Sequence, residues 1–113
     1  MKFALLYYYD PTQTSPSEGE VADWMTFDQS VKDAGAFVYE AGFYSDDNAQ
    51  RVSIREGNTV SENGALVSDG NVQAGLYVID VSDAATAMKW AERIPTARYG
   101  VVEVRSIVEY VPE

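Results

Sequence analysis

Any catalysis by this chain must rest on carboxylate, Tyr, Lys, Ser or Thr groups or on a borrowed cofactor, because the sequence contains no histidine and no cysteine. The usual general base near neutral pH and the commonest transition-metal ligand are therefore missing, as are a thiol nucleophile, disulfides and thiolate zinc sites. The sequence also lacks a phosphate-binding glycine loop, a nucleophile elbow and internal repeats. We therefore predict no metal and no cofactor.

A run of three tyrosines, Tyr7, Tyr8 and Tyr9, supplies the first candidate residues. On a β-strand, Tyr7 and Tyr9 share one face and Tyr8 lies on the other. The main interpretation is core packing, with each hydroxyl bonded at the rim of the core. In the functional alternative, Tyr9 and Asp10 line the mouth of a cleft between a sheet and a helix, where the strand ends.

Two carboxylates lie where burial would change their chemistry. Asp28 falls one step off the apolar stripe of a predicted helix, and Glu40 lies within a predicted apolar strand. Partial burial would raise the pKa of either carboxyl group, and a raised pKa would suit a general acid. The plainer interpretation of a buried carboxylate is that it accepts a hydrogen bond and has no catalytic role. Trp24 lies on the stripe itself, so we expect core or dimer packing first and pocket lining second.

Polar loop residues supply the remaining candidates. Residues 46–48 (Asp-Asp-Asn) offer oxygens to Ca²⁺, but their spacing matches no known calcium loop, so we predict a solvated turn. Asn63-Gly64 and Asp69-Gly70 are typical turn dipeptides. The alternative is that this stretch is what remains of a loop that once carried chemistry.

The charge balance limits the partners. The 113 residues, predicted to form one domain over 1–113, include 18 acidic and 8 basic side chains, for a net charge of −10. This balance argues against nucleic acid and against an anionic membrane. Solubility is the plain interpretation, and a basic protein partner or a cationic ligand is the alternative. With no membrane-length apolar run and no signal-peptide cleavage site, we expect a cytoplasmic protein.

The first half of the chain predicts a strand, a helix and a second strand. The apolar run 2–9 suits a strand covered on both faces. Ser15, Pro16 and Glu18 form a capping box that predicts a helix start. The helix would end at Gly35 and be followed by a strand over 36–43. The apolar face of this helix would consist of Val21, Trp24, Phe27, Val31 and Ala34.

The second half predicts further strands and one more helix. Residues 51–56 alternate as a strand with one face in water, followed by a turn at Gly57-Asn58. A short extra strand is expected near 59–60 or 65–67. A strand over 75–81 leads into a Ser82-capped helix over 83–94, which Pro95 ends, and a last strand covers 99–111. The apolar face of the second helix would consist of Ala84, Ala87, Met88, Ala91 and Ile94.

The order β-α-β-β-α-β predicts an α+β, ferredoxin-like fold, with an antiparallel sheet carrying two helices on one face. The other face of the sheet would lie bare, although the first strand is apolar on both faces. A second copy of the same sheet is the best cover for it. We therefore expect a homodimer through the sheet face, and the sequence leaves open whether dimers assemble further.

Four segments together resemble one family. They are the opening MKFALLYYYD, VADWMTFDQSVKDAGAFVYEAGF (21–43), AGLYVIDVSDAATAMKWAERIP (74–95) and GVVEVRSI (100–107). In this order they resemble the YCII-related family, specifically its DGPF branch, within the dimeric α+β barrel superfamily. The resemblance covers nearly the whole chain and implies the same fold and dimer.

The resemblance also implies where this chain departs from its family. The Asp-Gly-Pro-Phe motif falls on Asn63-Gly64-Ala65-Leu66, and only the glycine is retained. The charged residues that usually follow fall on Ser68, Gly70 and Asn71. The resemblance therefore implies a divergent ligand-loop scaffold that has the family's length but has lost its ionisable groups, apart from Asp69. A different branch carries a His-Asp pair, and relatives there act on ring-cleavage products such as chlorinated muconolactones. Its helical position falls near Met25, and this chain has no histidine, so that dehalogenase-type mechanism is not expected.

Two functional hypotheses follow. The first is a non-catalytic or regulatory module that binds a small organic ligand or a basic protein partner. The second is an enzyme of the muconolactone isomerase or monooxygenase-like type, acting on a small organic acid through carboxylate and Tyr groups. A carboxylate with a raised pKa beside a Tyr hydroxyl would favour the enzyme. The candidate pocket residues are Tyr7, Tyr9, Asp10, Trp24, Asp28, Glu40, Asn63 and Gly64.

Overall fold

The computed structural model describes residues 1–16, 18–44, 49–66 and 69–110, so residues 46–48 and the end of the predicted last strand lie outside the described residues. Six strands and two helices are seen there, with a 3₁₀ turn before the last strand. In chain order they are β1 (Lys2–Tyr9), α1 (Glu20–Asp33), β2 (Phe37–Gly42), β3 (Gln50–Arg55), β4 (Asn58–Asn63), β5 (Val72–Asp80), α2 (Ala84–Glu92), the 3₁₀ turn (Pro95–Arg98) and β6 (Val101–Ser106).

The main sheet has four antiparallel strands in the order β2-β5-β1-β6. Strands β3 and β4 form a separate two-stranded hairpin inserted between β2 and β5. Without the hairpin, the order is that of a ferredoxin-like fold. The predicted α+β, ferredoxin-like architecture is therefore confirmed.

The core lies between one face of the sheet and the two helices. On β1, the alternate residues Phe3, Leu5 and Tyr7 are buried, as the period of a strand requires. They pack with Phe27 of α1 and with Ala87 of α2. Burying one large apolar side chain contributes roughly 1.5–3 kcal/mol, so this layer holds the helices on the sheet.

The opposite face of the sheet carries apolar side chains that are only half-buried. Ala4 and Leu6 of β1 lie beside Val78 and Leu76 of β5 on this face. No helix or strand among the described residues covers it, and Tyr39 at its edge is exposed. The surface that the predicted dimer would use is therefore present, while the dimer stays a prediction.

Helix α1 begins later than predicted. Its N-cap is Gly19, whose φ of 85° is left-handed and which makes no side-chain capping bond, so the capping box at Ser15 does not form. Val21 is 75% exposed and Ala34 is also exposed, which leaves a narrower buried face than predicted. The spacing gives the direction of an apolar stripe, but the angle at which the helix lies on the sheet decides its width.

Two further boundaries differ from prediction. The cap of α2 is Asp83 and not Ser82, because the Asp83 carboxylate accepts a bond of 2.8 Å from the amide of Thr86. Ala84 and Met88, predicted to face the core, are exposed. Strand β6 stops at Ser106, where its partner β1 begins.

The β3–β4 hairpin is more exposed than its pattern predicts. Its turn lies at Glu56-Gly57, one residue earlier than expected, and β4 is longer than the predicted short strand. Val52 and Ile54 are 71% and 60% exposed, although one apolar face was expected to be covered. The radius of gyration of 16.2 Å exceeds the value of about 13 Å for a compact chain of this length. The hairpin therefore stands away from the core.

Candidate ligand-binding pocket

A cleft of about 300 Å³ lies between α1 and the sheet. It is lined by Tyr7 of β1, Val21, Trp24, Met25 and Asp28 of α1, Glu40 of β2 and Tyr77 of β5. Trp24 and Asp28 are one helical turn apart, so they share one side of the helix. Glu40 and Tyr77 are register partners on neighbouring strands, so their side chains lie on the same face of the sheet.

Tyr7 lies in this cleft because its partner on β5 is a glycine. A Cβ at Gly75 would overlap with the Tyr7 hydroxyl and with the carbonyl oxygen of Ala41. The Tyr7 hydroxyl instead donates to that carbonyl at 3.5 Å. The ring packs against Trp24 with 5.0 Å between ring centroids. The two aromatic side chains therefore form one wall of the cleft.

Asp28 holds two hydrogen-bond donors at once. The Tyr77 hydroxyl donates to its Oδ1 at 2.6 Å, and the Lys32 ammonium lies 2.7 Å from its Oδ2. Lys32 first, and then Tyr77, lower the pKa of Asp28 below its usual range. The prediction of a raised pKa at Asp28 is therefore wrong. The side chain is 32% exposed, so desolvation is too weak to outweigh an adjacent cation.

The two tyrosines of the cleft stay protonated near neutral pH. Burial, followed by the charge of Glu40, raises the pKa of Tyr7 to about 12. Burial also raises the pKa of Tyr77, with the hydrogen bond to Asp28 and nearby negative charges adding to the effect. Both phenols therefore act as hydrogen-bond donors and not as bases.

Glu40 differs from the expectation of partial burial, because it is exposed. The strand β2 lies at the edge of the sheet, and an edge strand is open to water on one side. No ion pair among the described residues includes Glu40. The cleft therefore contains one carboxylate paired with a lysine and one carboxylate without a cation partner in this part of the chain.

Tyr9 and Asp10 do not join the cleft. The Tyr9 ring packs edge-on against Tyr99, with 5.7 Å between centroids. The carboxylate of Asp10 accepts bonds of 2.9 Å and 2.6 Å from the amide and hydroxyl of Thr12, which lower its pKa. Asp10 is thus used to form a turn. Next to this pair, the Tyr99 hydroxyl donates to the buried carboxylate of Glu20 at 3.2 Å.

Asn63 and Gly64 lie on the hairpin, apart from the cleft. The Arg51 side chain donates to the Gly64 carbonyl at 3.1 Å and to the Asn63 carbonyl at 3.3 Å. Gly64 has a φ of 99°, and Asp69 and Gly70 form a turn with φ of 66° and 79°. Asp69-Gly70 therefore forms a turn as predicted, whereas Asn63 is the last residue of β4, paired with Gln50, and only Gly64 bends the chain after it.

Within the described residues, no cluster of histidine, cysteine or carboxylate side chains could hold a metal ion. No helix in the same part of the chain is long and apolar enough to cross a membrane.

A comparison with family models decides the relationship that the four sequence segments suggest. The model of the YCII-related domain matches residues 1–111. The chain belongs to the YCII-related family. The matched range includes both helices, all six strands and every residue of the cleft. No curated protein matches the chain.

The sequence did not reveal three residues of the cleft in this YCII-related protein as site residues. Tyr77 looked like part of an apolar strand, and its pairing with Glu40 depends on the register of β5. Val21 was predicted to be core but is exposed and lines the cleft. Met25, near which the resemblance places the helical position of the His-Asp pair of another branch, also lines it. That alignment was the available signal for Met25.

Proposed function

We propose that this YCII-related protein is a small-ligand-binding module and that its binding site is the cleft between α1 and the sheet. One observation supports the proposal most. Four of the eight residues chosen from sequence, Tyr7, Trp24, Asp28 and Glu40, come from three different elements and line the same cleft. Its volume of about 300 Å³ is at the lower end of the range for ligand pockets.

The ionisation of the cleft favours binding over catalysis. A general acid or base works best with a pKa near the operating pH. Asp28 has a lowered pKa and two fixed donors, and the pKa of Tyr7 is raised to about 12. The carboxylate beside a Tyr hydroxyl is thus held as a stable anion, which orients a ligand and does not transfer protons near neutral pH. The lowered pKa of Asp28 is the opposite of what the enzymatic alternative requires of a general acid at this position.

Native mass spectrometry of protein purified from its own host tests the binding proposal. We expect a small-molecule adduct whose occupancy falls in a Trp24→Leu variant, because this change removes one wall of the cleft. Trp90→Leu is the matched control, since Trp90 lies on α2 outside the cleft, and it should keep the adduct. An adduct that survives Trp24→Leu unchanged would place the ligand elsewhere. The proposal would be contradicted if the purified protein carries no adduct and if no compound of a fragment library shifts the NMR signal of the Trp24 indole.

We also propose that the protein forms a homodimer through the face of the sheet that carries Leu6, Leu76 and Val78. A stable interface buries about 800 Å² on each partner, and an apolar face left open on one side of a sheet is a suitable surface. The exposed hairpin residues Val52 and Ile54 support the same conclusion, because an isolated two-stranded hairpin is marginally stable in water.

Sedimentation velocity over a range of concentrations tests the dimer. The wild type should sediment as twice the chain mass of 12.5 kDa. Leu76→Glu places a charge in the centre of the proposed interface and should shift the protein towards monomer. Met88→Glu, on the exposed side of α2, introduces the same charge outside the interface and should leave the dimer intact. A wild-type monomer at every concentration would contradict the proposal.

A further inference from the structure

The cleft carries an excess of negative charge. Lys32 lies 2.7 Å from Asp28 and 4.9 Å from the centre of the Phe37 ring, so its charge is already engaged. Glu40 takes part in no ion pair of the described residues. Two carboxylates and one ammonium group leave the site with one net negative charge. An entering ligand therefore meets a carboxylate for which the described chain supplies no counter-ion.

Aromatic rings stand beside this carboxylate. Tyr7 and Trp24 pack together at 5.0 Å, and Tyr77 is the register partner of Glu40. The face of an aromatic ring is negative and attracts a cation within about 6 Å of its centre. The cleft thus combines aromatic rings with one open carboxylate, and these are the kinds of group that recognise ammonium ions.

We propose that the cleft selects an organic cation, namely an ammonium group attached to a small apolar or aromatic body, with Glu40 as its anionic contact and Trp24 as its aromatic contact. This inference rests on the proposed binding function of the same cleft. Glu40 would contact the charge, and the apolar body would lie against Val21 and Met25.

The electrostatics of the surroundings support a positive ligand. The charge of Glu40 reaches both phenols, since it adds to burial in raising the pKa of Tyr7 and of Tyr77. The whole chain carries a net charge of −10. An organic anion in the cleft would face two carboxylates, and its attraction to Lys32 would compete with the existing bond to Asp28. A cation meets no such competition.

The expected selectivity is moderate because Glu40 is exposed. Exposed ion pairs and exposed cation–π contacts are each weak. Their combination predicts that a cation binds about 3- to 30-fold more tightly than a neutral compound of the same shape. This range is large enough to measure with weakly binding fragments.

The test is an NMR titration of the full chain with benzylammonium, benzyl alcohol and benzoate, which share one ring and differ in charge. The indole N–H of Trp24 reports on the cleft, and that of Trp90 serves as an internal reference on α2. We expect benzylammonium to shift the Trp24 signal with the highest affinity. In Glu40→Gln its affinity should fall towards that of benzyl alcohol and keep only the contribution of the aromatic contact with Trp24, while the affinity of benzyl alcohol itself stays the same. Glu92→Gln, an equal charge change outside the cleft, should leave all three unchanged.

The outcomes separate this inference from the function on which it rests. If benzylammonium and benzyl alcohol bind equally, or if Glu40→Gln has no effect, cation selection is wrong and the cleft remains a binding site. If benzoate binds best, the cleft prefers anions and the proposed selection of a cation is wrong. If none of the three compounds shifts Trp24 and the fragment library also gives no shift, the proposed function itself fails.

Discussion

Replacing Tyr77 with phenylalanine removes one oxygen atom that joins strand β5 to helix α1. The hydroxyl donates to Asp28 at 2.6 Å, while the ring of Tyr77 is buried against Phe27 and Phe37. Phenylalanine keeps these ring contacts. The variant therefore tests the hydrogen bond separately from the packing of the core.

The magnitude follows from the surroundings of Asp28. A hydrogen bond to a charged group contributes roughly 1.5–3 kcal/mol. Asp28 keeps Lys32 at 2.7 Å, and its 32% exposure lets water replace the lost donor. We therefore expect the Tyr77→Phe variant to lose about 1–2 kcal/mol of unfolding free energy near neutral pH.

The loss should depend on pH with a definite sign. The pKa of Asp28 is lower in the folded protein than in the unfolded chain, where it is about 3.9. Such a group stabilises the fold fully above the unfolded pKa, and the stabilisation disappears as the pH falls through the folded value. The difference between wild type and Tyr77→Phe should therefore shrink in acid.

Urea unfolding followed by tryptophan fluorescence measures the effect, with the protein concentration held constant because an oligomer's stability depends on it. Tyr44→Phe is the control, since Tyr44 is 88% exposed and its hydroxyl makes no hydrogen bond within the described residues. It should change the free energy by less than about 0.5 kcal/mol. A cycle with Asp28→Asn should show coupling between the two sites. No loss in Tyr77→Phe near neutral pH, or a loss unchanged in acid, would refute the reasoning.

Two further changes test the local geometry. Asp83→Ala removes the cap of α2 and should lower the urea midpoint near neutral pH, with a smaller effect in acid because the capping bond lowers the pKa of Asp83. Ser82→Ala should leave the urea midpoint nearly unchanged. A larger loss in Ser82→Ala than in Asp83→Ala would show that Ser82 is the cap. Gly75→Ala should cost about 1–3 kcal/mol or more, because its Cβ has no room, and a crystal structure should show Tyr7 displaced. Gly42→Ala has free space and should cost less than about 0.5 kcal/mol; equal costs would contradict the packing argument.

The main elements could be predicted because their patterns are local. The continuous apolar run at 2–9 and the three- and four-residue spacing in α1 each indicate one type of structure. Their order then leaves few arrangements other than a ferredoxin-like sheet. The errors occurred where local signals compete. Ser15 and Gly19 both resemble helix starts, and Ser82 and Asp83 are both good caps.

The cleft could be predicted only in part. Tyr7, Trp24, Asp28 and Glu40 were chosen for their chemistry and position on an element, and they line one cleft. Tyr9 and Asp10 were chosen on the same grounds but contact Tyr99 and a local turn. Sequence spacing gives the face of a strand, whereas the neighbours on that face depend on how strands pair.

The sequence by itself determined the class of fold, the absence of imidazole and thiol chemistry, and the strongly negative charge. These properties depend on composition and on periods of two and 3.6 residues, which act within one element. Only the tertiary structure decided that Asp28 accepts the Tyr77 hydroxyl in addition to the Lys32 ammonium one helical turn away, and that Glu40 is the open carboxylate. The reason is that Asp28 and Tyr77 are 49 residues apart, and a pKa depends on distances of a few ångströms.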